Sequence, residues 1–223
     1  MKLLVLIISS NNSNVYEKHR DIWRSYMKRY TDIDCFFIEY MPFTAIPFVI
    51  KDTLKMRGKE DYTTILEKTV DAINYFLPKK YYDYVVRTNL SCVWDFPRLL
   101  DFLQDKPRTG WYSGEINNST QFGRYASGAG FIMSRDVAIA LVNNKNILKE
   151  QKTYIDDVDI GKIFKALRIE VQPQPRVNFL SLNDYLEGYN QIPPDSFHYR
   201  VRWSEGREGE PSVMKKIVDS IYK

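Results

Sequence analysis

The chain has 223 residues, of which 44% are hydrophobic and 27% are charged. This length is usual for one domain and is long enough to bury a substantial core, so we expect a single domain over residues 1–223. The formal net charge of +4, from 32 basic and 28 acidic residues, is too small and too evenly spread to favour nucleic acid as a partner. It is compatible with a site that binds a diphosphate.

The sequence contains no segment typical of export or membrane anchoring. The first apolar run covers residues 3–8 and is followed by Ser9, Ser10, Asn11 and Asn12. It is short for a secretory signal and far below the ~20 apolar residues of a membrane span. Cys35 and Cys92 lie in separate apolar stretches, which favours buried free thiols and a reducing compartment. We therefore expect a cytoplasmic protein.

The hydrophobic pattern predicts strands that alternate with helices along most of the chain. Predicted strands are 3–8, 35–38, 82–86, 111–114, 125–134 and 197–203; predicted helices are 14–30, 62–76, 97–103, 135–142, 162–167 and 213–222. Residues 40–57 and 173–194 lack a periodic pattern, so we expect loops there. This order predicts an α/β fold with a mostly parallel central sheet flanked by helices.

An acidic cluster opens the helix predicted after residue 155. Asp156, Asp157 and Asp159 fall within four residues and are followed by Gly161. Helix capping would explain one acid at a helix N-terminus, but three are more than capping requires. Apolar neighbours would partly desolvate Asp157 and raise its pKa, which suits a catalytic base. Capping remains the alternative interpretation.

A basic face is predicted near the end of the chain. Residues 197–203 alternate, so His198, Arg200 and Arg202 share one side of an extended strand. Such a face suits a diphosphate, bound directly or through a metal ion. The alternative is a solvated edge strand. The other histidine, His19, lies in a predicted helix beside Lys18 and Arg20 and is expected at the surface.

Four segments resemble, in shared order and spacing, the β-1,3-galactosyltransferase type of GT-A glycosyltransferase, family 31. Residues 20–24 resemble the family's "R..IR.TW" element, and residues 63–76 resemble its "D.Y.NLTLKT" helix. Residues 125–134 are similar to "YP.Y.SG.GYVLS", the most specific match, and residues 155–161 to "LEDV.VG". The resemblance covers about residues 3–169 and is closest in style to soluble enzymes that build surface glycans in bacteria and large DNA viruses.

The resemblance implies a Rossmann-like GT-A sandwich that transfers a sugar from a nucleotide sugar, UDP-linked in this family, to a glycan or glycoprotein acceptor. It implies inversion at the anomeric carbon, with Asp157 as the base and Asp156 beside it. The expected donor-binding residues are Ser9, Ser10, Arg20, Arg24, Lys68, Arg87, Thr88, Asn89, Arg200 and Arg202.

The family's acidic metal-binding motif should fall on residues 87–93, where Asn89 and Ser91 occupy the acidic positions. Neither is a strong ligand for Mn²⁺ or Mg²⁺. Two expectations follow: a metal held weakly by Asn89, Ser91 and His198, or replacement of the metal by Arg200 and Arg202.

Two other functions compete with sugar transfer. The missing acids also fit a GT-A-like glycan-binding or scaffold domain without catalysis. A sugar-phosphate nucleotidyltransferase would need a glycine-rich loop with a basic residue soon after the first strand, and residues 9–12 are a poor substitute.

Overall fold

The computed structural model describes residues 1–10, 13–189, 192–204 and 206–222. The strands are β1 (Leu3–Ile8), β2 (Ile33–Met41), β3 (Phe48–Ile50), β4 (Thr53–Arg57), β5 (Tyr84–Asn89), β6 (Cys92–Trp94), β7 (Tyr112–Ser119), β8 (Gly123–Ser134), β9 (Val171–Pro173), β10 (Val177–Phe179) and β11 (His198–Val201). The helices are α1 (Asn14–Tyr26), α2 (Ile65–Phe76), α3 (Phe96–Leu103), α4 (Arg135–Asn144), α5 (Asp156–Ala166), α6 (Leu182–Gly188) and α7 (Glu210–Ile221).

An eight-stranded sheet forms the centre of the fold, in the order β3-β4-β2-β1-β5-β8-β7-β9. Its middle strands β4, β2, β1 and β5 are parallel, which confirms the predicted α/β class. The β7–β8 pair is antiparallel because only residues 120–122 join the two strands, and Gly123 at φ +81° begins the return. Parallel pairing would need a much longer crossover.

Two segments expected to be loops contain regular structure. Residues 48–57 form the antiparallel β3–β4 pair at one edge of the sheet, and residues 171–188 include β9, β10 and α6. All three residues of β3 are exposed, so no face of β3 has to be apolar and no alternation marks it. One predicted helix is shorter than expected, since α1 ends at Tyr26, four residues before its predicted end.

The sheet has a hydrophobic core on each face, and β1 contributes to both. Leu3, Val5 and Ile7 pack on one side with residues of α1 and α7. Leu4 and Leu6 pack on the other side with residues of α2, α4 and α5. This alternation follows from the two-residue period of a strand, and it explains why β1 is apolar at every position.

A second sheet of three strands, in the order β10-β11-β6, lies beside the main sheet. In β11, His198 is paired with Trp94 of β6, and Arg200 is paired with Cys92. The same arginine is opposite Asn178 of β10. The small sheet therefore fixes the position of the predicted basic face.

Both cysteines are buried and free, as predicted from their apolar surroundings.

None of the described helices combines the length and the apolar character that crossing a membrane requires.

Candidate active site

A cavity of about 490 Å³ opens at the carboxyl ends of β1 and β5. Ser9 and Ser10 follow β1, Asn89 ends β5, and all three line the cavity. This is the place where open α/β sheets bind ligands. Of the residues predicted for the site, the following line it: Ser9, Ser10, Lys68, Arg87, Asn89, Ser91, Asp156, Asp157, Arg200 and Arg202.

Asp157 is one of the carboxylates that line this cavity. Its Oδ2 accepts a hydrogen bond from the backbone N–H of Gly128 at 2.7 Å, and its Oδ1 accepts one from the N–H of Val158 at 3.0 Å. A Cβ at Gly128 would lie 3.1 Å from this Oδ2, so glycine permits the close approach. These bonds fix the carboxylate without neutralising its charge.

Asp156 has a different environment, because it forms a buried ion pair with Arg87 of β5. Arg87 is 1% exposed and also donates to the carbonyl of Gly128. Burial raises the pKa of Asp156, and the charge of Arg87 opposes that rise. Asp156 therefore holds Arg87 in place, while Asp157 is the carboxylate without an ion-pair partner among the described residues.

Asp159 has a structural role, but it does not cap α5. It is buried and accepts hydrogen bonds from the backbone N–H groups of Thr153, at 2.9 Å, and of Tyr154, at 3.1 Å. The carboxylate thus fixes the loop that enters α5. The N-cap residue of this helix is Ile155, whose side chain accepts no hydrogen bond, so capping in this sense does not explain the acidic cluster.

Three arginines near the end of the chain line the same cavity. Arg200 and Arg202 are accompanied there by Arg207, which sequence reasoning missed. Glu210, fully buried at the start of α7, accepts two hydrogen bonds from Arg207, at 2.8 Å to Nε and 2.9 Å to Nη2. The guanidinium of Arg207 also lies 5.2 Å from the ring centroid of Tyr16. Its position is therefore rigid.

His198 does not line the cavity with Arg200 and Arg202, which corrects the predicted basic face. Its ring is fully buried, stacks on Trp94 with centroids 4.0 Å apart, and places Nδ1 3.3 Å from Nε2 of Gln174. Burial lowers the pKa of His198 well below its usual value, and Arg176 and Arg200 lower it further. The imidazole is therefore neutral, and Gly130 covers its other edge.

Three predicted donor-binding residues also lie outside the cavity lining. Thr88 is buried and accepts a hydrogen bond from Nε1 of Trp94 at 2.9 Å. Arg24 is turned away and paired with Asp52 at 2.9 Å. Arg20 donates to the carbonyl of Ser10 at 2.7 Å, so it supports the end of β1 rather than contacting the cavity.

Lys68 and His19 are more deeply buried than the sequence suggested. Lys68 is fully buried, forms an ion pair with Glu60 and donates to the carbonyl of Ser9 at 3.2 Å. His19, expected at the surface, is fully buried with Nε2 3.4 Å from Glu210. Lys68 therefore also supports the strand end at Ser9, while His19 packs behind the residue that holds Arg207.

The residues present do not fit a divalent metal ion. Among the described residues, no group of three or more histidine, cysteine, aspartate or glutamate side chains is placed to hold one. Asn89 and Ser91 line the cavity, but each offers only a neutral oxygen, whereas Mn²⁺ and Mg²⁺ prefer carboxylates. The third predicted ligand, His198, is enclosed by Trp94 and Gly130.

Comparisons with known proteins agree with this description. A family model described as galactosyltransferase matches residues 104–175, about a third of the chain. No curated protein sequence matches. A solved structure of similar fold is the "crystal structure of a glycosyltransferase involved in the glycosylation of the major capsid of PBCV-1", with a TM-score of 0.58 at 10% identity, over 96% of this chain and 100% of that one. The matched residues include 125–134 and 155–161, so the resemblance predicted from sequence is confirmed there, and the match supports a glycosyltransferase. The solved structure shows that the fold is also found in a glycosyltransferase.

Proposed function

We propose that this glycosyltransferase moves a sugar from a UDP-linked donor to a carbohydrate acceptor, with inversion and with Asp157 as the general base. One observation carries the proposal: a single cavity at the strand ends is lined both by the carboxylates of Asp156 and Asp157 and by Arg200, Arg202 and Arg207. An acceptor hydroxyl needs a carboxylate to take its proton, and a departing diphosphate needs the positive charge.

Asp157 suits the role of base because it lines the cavity and forms no ion pair with any of the described residues. Each carboxylate oxygen has two lone pairs, so both oxygens can accept a further hydrogen bond beside those from Gly128 and Val158. In the proposed step the acceptor oxygen bonds to the anomeric carbon as the bond from that carbon to the diphosphate breaks. The hydroxyl proton passes to Asp157, and the nucleoside diphosphate leaves.

The donor is proposed to lie across the ends of β1 and β5. Ser9 and Ser10 would contact the nucleoside, and Asn89, which lines the same cavity, would meet the diphosphate. Arg87, fixed by Asp156, would add positive charge to the donor site. Tyr62, which lines the cavity and is 63% exposed, offers an aromatic face on which an acceptor sugar can stack.

We propose a glycan or glycoprotein as the acceptor, in line with the capsid glycosylation named for the PBCV-1 structure. We also propose a cytoplasmic location, which the two buried free cysteines support.

The test is transfer or slow hydrolysis of UDP-, GDP- and dTDP-sugars, followed as release of the nucleotide. Asp157→Asn should lower kcat by about a hundredfold or more, the range expected for loss of a general base, and should leave the Kd of the donor nearly unchanged. Asp101→Asn, which alters an exposed carboxylate of α3, is the matched control. Unchanged turnover in Asp157→Asn would exclude this base, and failure to bind any nucleotide would exclude the transferase.

The competing function is a glycan-binding domain without catalysis, favoured by the neutral Asn89 and Ser91 at positions where the family has acids. It predicts that the protein binds glycans but not nucleotides. It also predicts no effect of Asp157→Asn. The same measurements therefore separate the two functions.

A further inference from the structure

Two arginines beside the cavity lack the acidic partners that their neighbours have. Arg87 is paired with Asp156, Lys68 with Glu60, and Arg207 with Glu210. Arg200, in β11, lines the cavity, and Arg176 immediately precedes β10 in the same small sheet. Within the described part of the chain, neither Arg176 nor Arg200 forms an ion pair.

The same two side chains contain buried nitrogens without hydrogen-bond acceptors. Three such nitrogens are buried and have no hydrogen-bond partner among the described residues: Nε and Nη1 of Arg176 and Nε of Arg200. A buried donor without a partner is costly, more so when it belongs to a charged group. Native structures rarely keep such donors unless water or an ion satisfies them. These nitrogens therefore point to an anionic ligand.

The two guanidiniums are also close enough to repel each other. Burial lowers the pKa of Arg176, and the charge of Arg200 contributes to the shift. Both arginines lower the pKa of the buried His198, so the neutral imidazole lies against a concentration of positive charge. For Arg176, the charges of Glu115 and Asp157 act against that of Arg200, and burial is the largest cause of the lowered pKa. An anion bound between the arginines would give both guanidiniums a partner of opposite charge.

A diphosphate meets these requirements. Guanidinium groups bind phosphate oxygens through paired, charge-assisted hydrogen bonds. Arg202 and Arg207 line the same cavity as Arg200. Asp157 also lines it, so a donor phosphate bound here would leave its sugar in the cavity that contains the proposed base.

We propose that Arg176 and Arg200, assisted by Arg202 and Arg207, neutralise the diphosphate of the donor in place of a divalent cation. The inference rests on the proposed function, because it assigns the leaving group of that reaction. The negative charge that develops on the departing phosphate is stabilised by fixed guanidiniums in a partly buried site. With arginines in this role, the site does not need acidic metal ligands at positions 89 and 91, where the chain has Asn89 and Ser91.

The inference is tested by titrating the purified protein with UDP in calorimetry, once with excess EDTA and once with Mn²⁺. We expect the same Kd, within about twofold, in both buffers. Arg200→Met and Arg176→Met should each weaken UDP by about tenfold or more, the range for hydrogen bonds to charged groups. Uridine, which lacks phosphates, should bind equally to wild type and variants. Arg108→Met, which removes an arginine that is half exposed and paired with Asp83, is the control and should bind UDP normally.

Thermal unfolding separates a binding effect from a folding effect. Removal of an unpaired, partly buried charge should leave the Tm of the free protein unchanged or raised in Arg200→Met, while the rise in Tm caused by UDP should shrink. A requirement for Mn²⁺, or an equal loss of uridine and UDP, would overturn the inference and leave the proposed transfer intact. Failure of UDP to bind in either buffer would overturn both.

Discussion

Replacing His19 with glutamine should make the stability of the protein less sensitive to acid. His19 is fully buried, and its pKa is lowered to about 3, first by burial and then by the charge of Arg207. Glu210 lies 3.4 Å away, but its carboxylate is already bound by Arg207 at 2.8 and 2.9 Å. The imidazole is therefore neutral in the folded protein.

The sign and size of the effect follow from this lowered pKa. In the unfolded chain the pKa of His19 returns to about 6.5, so the unfolded state binds a proton that the folded state does not. The stabilisation is complete above that value and declines as the pH falls from about 6.5 toward about 3. Each pH unit inside that window costs about 1.4 kcal/mol, so the contribution lost by about pH 5 is about 2 kcal/mol.

Urea unfolding, followed by tryptophan fluorescence between about pH 7.5 and about pH 5, measures the free energy of unfolding directly. The chain has two histidines, and the pKa of His198 is also lowered by burial. We therefore expect a steep decline in wild type and a clearly shallower one in His19→Gln, with the remainder due to His198. Equal slopes in the two proteins, or an NMR signal of His19 that titrates near its usual pKa, would refute the reasoning.

Two further predictions concern packing. Gly130→Ala should lower the free energy of unfolding by about 1–3 kcal/mol, because the new Cβ would lie 2.7 Å from both Trp94 and His198. The control is Gly188→Ala, where the nearest non-adjacent atom among the described residues belongs to Phe179 and would lie 4.0 Å from the new Cβ, so the Tm should change little. Burial raises the pKa of both cysteine thiols. A thiol reagent should therefore label neither cysteine in the native protein and both in urea. Rapid labelling of the native protein would show that the thiols are accessible, contrary to this prediction.

Parts of the fold that bury apolar faces could be predicted from the sequence. The continuous apolar run at residues 3–8 gave the bounds of β1, because a strand covered on both faces is apolar at every position. The β3–β4 pair gave no such signal, since β3 is exposed and its turn contains Lys51 at φ 57°. With three residues, β6 is too short to show alternation.

The acidic residues of the site could be predicted from the sequence more fully than the basic ones. Asp156 and Asp157 are adjacent in sequence, so their concentration was visible without a structure. Arg176 is brought near Arg200 by the pairing of β10 with β11, and Arg207 is held by Glu210. Such long-range placement leaves no local pattern. His198 was misplaced because alternation predicts the side of a strand but not whether Trp94 and Gly130 cover it.

The proposed acidic and basic groups of the site are encoded in separate stretches of the chain. The carboxylates belong to α5, within the segment that matches the galactosyltransferase model, whereas the four arginines follow that segment, from residue 176 to residue 207. Substitutions in the later stretch can therefore change the arginines proposed to hold the phosphate without altering the segment that contains Asp157, the proposed base. The two proposed roles are open to independent mutation.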